Sequence, residues 1–119
     1  MLPSRHRLRH RAEFAAVMRG TGGARAASRL VVVHAKRTDA RTGEPPRVGF
    51  VVSKKVGTAV TRNRVKRRLR ALVAARLSGI PAGHDLVVRA NPACSTASSA
   101  ALGADLDRVL PAALGRVRR

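Results

Sequence analysis

Two short apolar runs, Arg47 to Ser53 (Arg-Val-Gly-Phe-Val-Val-Ser) and His84 to Ala90 (His-Asp-Leu-Val-Val-Arg-Ala), are joined by a segment whose apolar residues recur at helical spacing. Val65, Leu69, Leu72, Val73 and Leu77 make a 3.6-residue stripe. Thr61 is placed to cap it, and Gly79 and Pro81 end it near Leu77. A strand, a helix and a strand in that order restrict the topology. An antiparallel pair needs only a tight turn, whereas a helical crossover brings the chain back in the same direction. The two strands are therefore expected as parallel neighbours or near neighbours in one sheet.

The remaining elements attach to this unit. Phe14, Val17 and Met18 fall at i, i+3 and i+4, predicting a short helix from His10 to Arg19 that Gly20 ends. Thr21 to Ser28, with Gly22 and Gly23, reads as a loop, and the β-branched run Leu30 to Ala35 as a strand. Lys36 to Pro46 reads as an exposed loop and Lys54 to Val60 as a connection containing Gly57. Asn91-Pro92 ends the last strand. A closing helix over Ser98 to Leu114 buries Leu102, Leu106, Val109, Leu110 and Leu114, with Pro111 expected to kink or weaken its final turn. The order is α-β-β-α-β-α, and one mixed sheet covered by helices buries every stripe, an α+β single-domain sandwich. Residues 1–9 read as a basic, partly disordered arm, 10–115 as a single domain, and 116–119 as a basic tail. A chain of 119 residues supports one modest core. With 21 Ala, 15 Val and 11 Leu against two Phe and no Trp or Tyr, that core is aliphatic and thin.

Charge narrows the partner. The chain holds 25 Lys plus Arg against 6 Asp plus Glu, a net +19. Self-repulsion of that size disfavours a compact state unless a polyanion is bound, and nucleic acid is the general case. Of the cations 21 are Arg, which suits bidentate phosphate contact; coding bias in a GC-rich genome would also raise Arg and Ala together, but not the net charge. The lone Cys94 has no internal partner, no stretch approaches the roughly 18 apolar residues of a membrane span, and the basic N-terminus is not followed by an apolar run. A cytoplasmic protein is expected.

Eight of the basic residues lie between Lys54 and Arg70, and no acid occurs from Lys54 through Pro81. A merely soluble helical face alternates Glu with Lys. Here six cations within nine residues repel one another unless anions sit between them. With Val65 facing the core, Asn63, Lys66, Arg67 and Arg70 spread over the outer face, Arg64 and Arg68 lie on its flank, and Arg62 lies near the apolar arc. Asn63 offers an amide to a base, a ribose or its own backbone. The run Val52-Ser53-Lys54-Lys55-Val56-Gly57-x-Ala59-Val60-x-Arg62-Asn63-Arg64-Val65-Lys66-Arg67 resembles the signature of the bacterial ribonuclease P protein subunit. Glu13-Phe14, Arg47-Val48-Gly49 and His84 to Arg89 agree with that family in order and spacing. The resemblance covers residues 5–114.

The resemblance implies a protein cofactor for a catalytic RNA that removes the 5′ leader from precursor tRNA. Metal ions, Mg2+ or similar, would be held by the RNA, and neither a catalytic residue nor a metal ligand is expected on this chain. Lys54, Lys55, Arg62, Asn63, Arg64, Lys66, Arg67, Arg68 and Arg70 would contact the RNA subunit or the nearby leader. Arg11, Phe14, Met18 and Val33 would line a cleft for the single-stranded leader. One protein per RNA, no DNA and no membrane are implied, as is a left-handed crossover between the parallel strands, against the usual rule.

The sequence departs from the family at the cleft, where aromatic platforms are usual and stacking is worth roughly 1–3 kcal/mol per base. Met18 stands where a second aromatic is common, and Val33-His34 where a Tyr is expected. Phe50 fits a core position on an alternating strand. The cleft is expected to hold its leader more through Arg and aliphatic contact, with less base discrimination. His6 and His10 have ligand spacing but no acid or Cys completes a site. Cys94 has no neighbouring His for a nucleophile's role, and the six acids are scattered through the chain without the spacing of a two-metal nuclease. Two other readings stay open: an rRNA-binding ribosomal or translation-associated protein, and a DNA-binding regulator using residues 61–77, which lacks the preceding helix of a helix-turn-helix.

Overall fold

The computed structural model describes residues 2–19 and 23–117, in the order α1 (Arg11–Arg19), β1 (Ala24–Ala27), β2 (Val31–Arg37), β3 (Arg47–Val51), α2 (Ala59–Ala74), β4 (His84–Ala90) and α3 (Ser99–Gly115). The helical crossover has the expected result. β3 and β4 pair in parallel, from Arg47 opposite Asp85 to Val51 opposite Arg89. The sheet order is β1-β2-β4-β3, with β2 antiparallel to both its neighbours. β4 takes the interior because Leu86, Val87 and Val88 are wholly buried, so apolar groups cover both its faces.

The two faces differ. On one, Ala26, Val33, Ala35, Val48, Leu86 and Val88 pack with residues of α2 and α3. The α2 stripe is Val65, Leu69 and Val73, and α3 contributes Leu102, Leu106 and Leu110. Phe50 packs against this cluster, as a core residue should. The other face carries α1 and a small cluster of Leu8, Val17 and Val87, bordered by Phe14, Met18 and Val51. Among the described residues no helix is long and apolar enough to cross a membrane.

Four expectations need correction. Residues 24–27, read as loop, form an edge strand beside β2; with Ala at three of four positions its alternation carries almost no hydrophobic signal. Residues 2–9, read as a loose arm, lie along β3. Leu2 and Leu8 are buried, Arg7 bridges Val48 in parallel, and the Leu8 N–H donates to the Val48 carbonyl at 3.1 Å. The His6 ring donates through Nδ1 to the Pro46 carbonyl at 2.8 Å. β3 is an edge strand with unpaired backbone groups, and two leucines suffice to seat the arm on it. The cap of α2 is Thr58 rather than Thr61: the Thr58 side chain accepts from the Thr61 N–H, and the helix gives way after Ala74 to a short 310 turn at Leu77–Gly79. α3, capped by Ser98, continues through Pro111 to Gly115, the proline occupying an exposed position. Met1, the Gly20 stop with Thr21 and Gly22 of the loop, and Arg118-Arg119 of the basic tail lie outside the described residues.

Candidate nucleic-acid interface

The basic segment is positioned by a tight joint. After β3 the chain makes a 310 turn, Lys54–Val56, which buries Val56 and leaves Lys54 and Lys55 exposed. Gly57 then adopts φ 152°, where a side chain is rarely accommodated, and a Cβ there would stand 3.1 Å from Thr61 Cγ2. Thr58 starts α2 immediately afterwards. With Val65, Leu69 and Val73 directed into the core, Asn63, Lys66, Arg67 and Arg70 fall on the outer face. Together with Val60, which is 76% exposed, they line a shallow hollow of about 430 Å3.

The flanking arginines are used differently. Arg64 Nη2 donates to the Ser95 carbonyl at 3.1 Å, and Arg68 Nη1 donates to the Ala97 carbonyl at 3.0 Å. They tie α2 to the segment before α3, so part of each guanidinium is committed to the fold. Arg62, on the opposite flank, is half-buried. The Nε groups of Arg62 and Arg64 are enclosed and find no hydrogen-bond partner among the described residues. Enclosed donors of this kind call for an acceptor, and a phosphate oxygen would supply one.

Three of the four residues expected to line a leader cleft fall on the α1 face, and one does not. Phe14 and Met18 pack against the Leu8, Val17 and Val87 cluster, and Arg11 is exposed one turn before Phe14. Val33 is not on that face: opposite Val88 and Ala26, it is buried on the α3 side. Side chains alternate along a strand, so the neighbouring residue, His34, occupies the α1 face instead. Register assembles two rows there across all four strands, Arg25–His34–Val87–Gly49 and Ala27–Val32–Arg89–Val51. Arg25 and Arg89 are exposed, while His34 is buried with an unpartnered Nε2. Burial first, then Arg89 and Arg25, lowers the His34 pKa, which keeps the ring neutral. Gly49 admits Phe14 over the sheet, since a Cβ there would stand 2.3 Å from Phe14 Cε2.

Comparison with known proteins identifies the relationship. The Ribonuclease P family model matches residues 2–113. This chain belongs to the ribonuclease P protein family. It is 53% identical over 111 residues to the ribonuclease P protein component of Acidothermus cellulolyticus, covering 92% of this chain and 89% of that one. It is 50% identical over 121 residues to that of Streptomyces griseus, covering 97% of each. Among solved structures, the RNase P protein of Staphylococcus aureus superposes with a TM-score of 0.80 at 29% identity, over 91% of this chain and 94% of that one. The RNase P protein of Thermotoga maritima does so with a TM-score of 0.73 at 26% identity, over 97% and 100%.

Within this ribonuclease P protein, most of the few carboxylates serve the fold. Arg47 donates to both oxygens of the buried Asp85, through Nε at 3.0 Å and Nη2 at 2.7 Å, and through Nη1 to Glu13 at 2.6 Å. Glu13 Oε1 also accepts from the His10 and Arg9 N–H groups at the start of α1. Those backbone bonds, chiefly from His10, with Arg47 beside them, hold the Glu13 carboxyl down to about 2. Asp105 accepts from the Ser28 hydroxyl at 2.6 Å and pairs with Arg108; Asp107 pairs with Arg76. Cys94 is buried, its thiol donating to the Leu30 carbonyl, and burial pushes its pKa up to about 11. Sequence reasoning missed Arg25 and Arg89 as members of the α1 face. The alternation Ala-Arg-Ala at 24–26, and the position of Arg89 two residues after Val87, were the available signals.

Proposed function

We propose that this chain is the protein cofactor of ribonuclease P, assisting a catalytic RNA in the endonucleolytic removal of the 5′ leader from precursor tRNA in the cytoplasm. One observation carries the reading: α2 presents Asn63, Lys66, Arg67 and Arg70 outward from a helix without a single acid, immediately after the Lys54-Lys55 turn. Such a face neutralises phosphates and releases their counterions, which supplies affinity without reading sequence. Docking of the RNA subunit would use this face, and the α1 face, edged by Arg11, Arg25 and Arg89 and bordered by Phe14 and Met18, would take the single-stranded leader. Divalent metal ions would be held by the RNA. Among the described residues Glu13, Asp85, Asp105 and Asp107 are each engaged by Arg. The chain's own contribution is to bind, orient and lower the electrostatic cost of assembling RNA with RNA.

The test is reconstitution. The purified chain is mixed with a bacterial ribonuclease P RNA at low magnesium, and precursor tRNA cleavage is followed. Stimulated 5′ leader removal is expected, and no stimulation would refute the proposal. In the double variant Lys66→Ala, Arg67→Ala, the slope of log affinity against log salt should fall by about 2.

A further inference from the structure

A second concentration of cations lies far from α2. The seated arm, the start of α1 and the loop before β3 enclose an open hollow of about 430 Å3, with Arg5, Arg7, Arg9, His10 and Arg41 in its lining. It surrounds the Arg47 end of β3, whereas the Lys54-Lys55 turn and α2 follow the Val51 end. Five residues of strand separate the two by roughly 13 Å before the turn begins.

The hollow is built, and among the described residues its charge is not internally neutralised. The arm is fixed by the buried Leu2 and Leu8, the His6 bond to the Pro46 carbonyl and the pairing of Arg7 with Val48. Arg7 Nε donates to the Leu2 carbonyl at 2.9 Å and Arg41 Nη2 to the Pro45 carbonyl at 2.9 Å, which orients both guanidinium groups. Arg41 Nε is enclosed without a hydrogen-bond partner, 3.9 Å from Asp85. Of the two acids in the lining, Glu13 is occupied by Arg47 and by the backbone of α1. Glu44 is exposed and makes no side-chain bond among the described residues. Arg5 and Arg9 stand exposed at the rim. Holding arginines together with one free carboxylate costs repulsion that an anion would relieve, and a prefixed backbone removes the ordering cost of binding it.

We propose that this hollow is a second phosphate-binding site, taking the phosphodiester backbone of an RNA independently of the α2 face. The inference rests on the chain being an RNA-binding subunit and adds a separate docking point at the opposite end of the parallel strand pair. The phosphates belong either to the RNA subunit or to a distal part of the leader.

Two variants of opposite sign test it: Arg5→Ala with Arg9→Ala, which lowers the rim charge, and Glu44→Gln, which removes the free acid. All four forms of RNA binding are read by titration across salt: assembly with the ribonuclease P RNA, holoenzyme affinity for precursor tRNA with a short leader and with a long one, and binding of oligouridylate as a plain phosphodiester probe. Circular dichroism checks that the variants fold. The double variant should lose about tenfold in affinity and about 2 in salt slope in at least one arm. Glu44→Gln should bind about two- to fivefold tighter in the same arm. Loss in assembly assigns the phosphates to the RNA subunit, and loss confined to the long leader assigns them to the leader. Wild-type affinity for both variants in every arm would overturn the site. If the wild-type chain does not assemble with the ribonuclease P RNA, the proposed function fails, and oligouridylate still decides whether the hollow binds phosphate.

Discussion

The two faces of the sheet are made by the same strands and do different work. Under α2 and α3, every strand contributes fully buried or nearly buried aliphatic residues, and Val33, Leu86 and Val88, with Leu106 of α3, are shut off from solvent. Under α1 the buried cluster shrinks to Leu8, Val17 and Val87, and the rows beside it carry Arg25, His34 and Arg89. An aliphatic core this thin needs one face closed tightly. The other is thereby free to remain part charged and part apolar, which is the surface an unstacked nucleic-acid strand can use. Stability and binding should therefore separate by face.

The largest effect should come from the closed face. Leu106→Ala opens a cavity between α3 and the sheet and should cost about 3 kcal/mol in denaturant unfolding. The folded protein should still bind ribonuclease P RNA with wild-type affinity, and a loss of affinity in the fully folded sample would break the separation. Gly49→Ala attacks the boundary of the open face. Its new Cβ would collide with the Phe14 ring and approach Leu8 Cβ to 3.1 Å, so the ring must leave its seat. A loss of about 1–2 kcal/mol is expected. Affinity for leader-bearing precursor tRNA should fall while assembly through α2 is unchanged, and equal weakening of both would show that the faces are coupled.

The closed face was the more legible of the two in the sequence. The stripe Val65, Leu69, Val73 and the strand Leu86-Val87-Val88 announce burial by spacing alone, and the crossover between Arg47 and His84 dictates parallel pairing. The open face depends on which side of the pleat a residue takes. Val33 and His34 could not be told apart from a run of three valines, and a shift of one residue exchanges the two faces. β1 escaped because alanine signals neither strand nor core. The arm escaped because two leucines among five polar residues look like loose chain until an edge strand is there to receive them. On α2 the helical wheel located the cations correctly, but the inward bonds of Arg64 and Arg68 depend on carbonyls about 30 residues later.

The smallest effect joins the faces at Glu13, which caps α1 while holding Arg47 against β4. Its folded pKa of about 2 lies below the ordinary carboxylate value, chiefly because the His10 N–H donates to it, then the Arg9 N–H. A depressed carboxylate stabilises the fold fully above its unfolded pKa, near 4.3, and loses that contribution as pH falls toward 2. Glu13→Gln should lower unfolding stability by about 1 kcal/mol at pH 7. The gap between the two proteins should narrow from about pH 5 downward and be nearly closed by pH 2. The same change frees Arg47 of one of its two carboxylates beside the arm hollow, so affinity for RNA at neutral pH should rise slightly as stability falls. Parallel loss of both would mean that the cap of α1 sets the binding surface. Opposite signs would show that Glu13 restrains the positive charge there while it holds the helix in place.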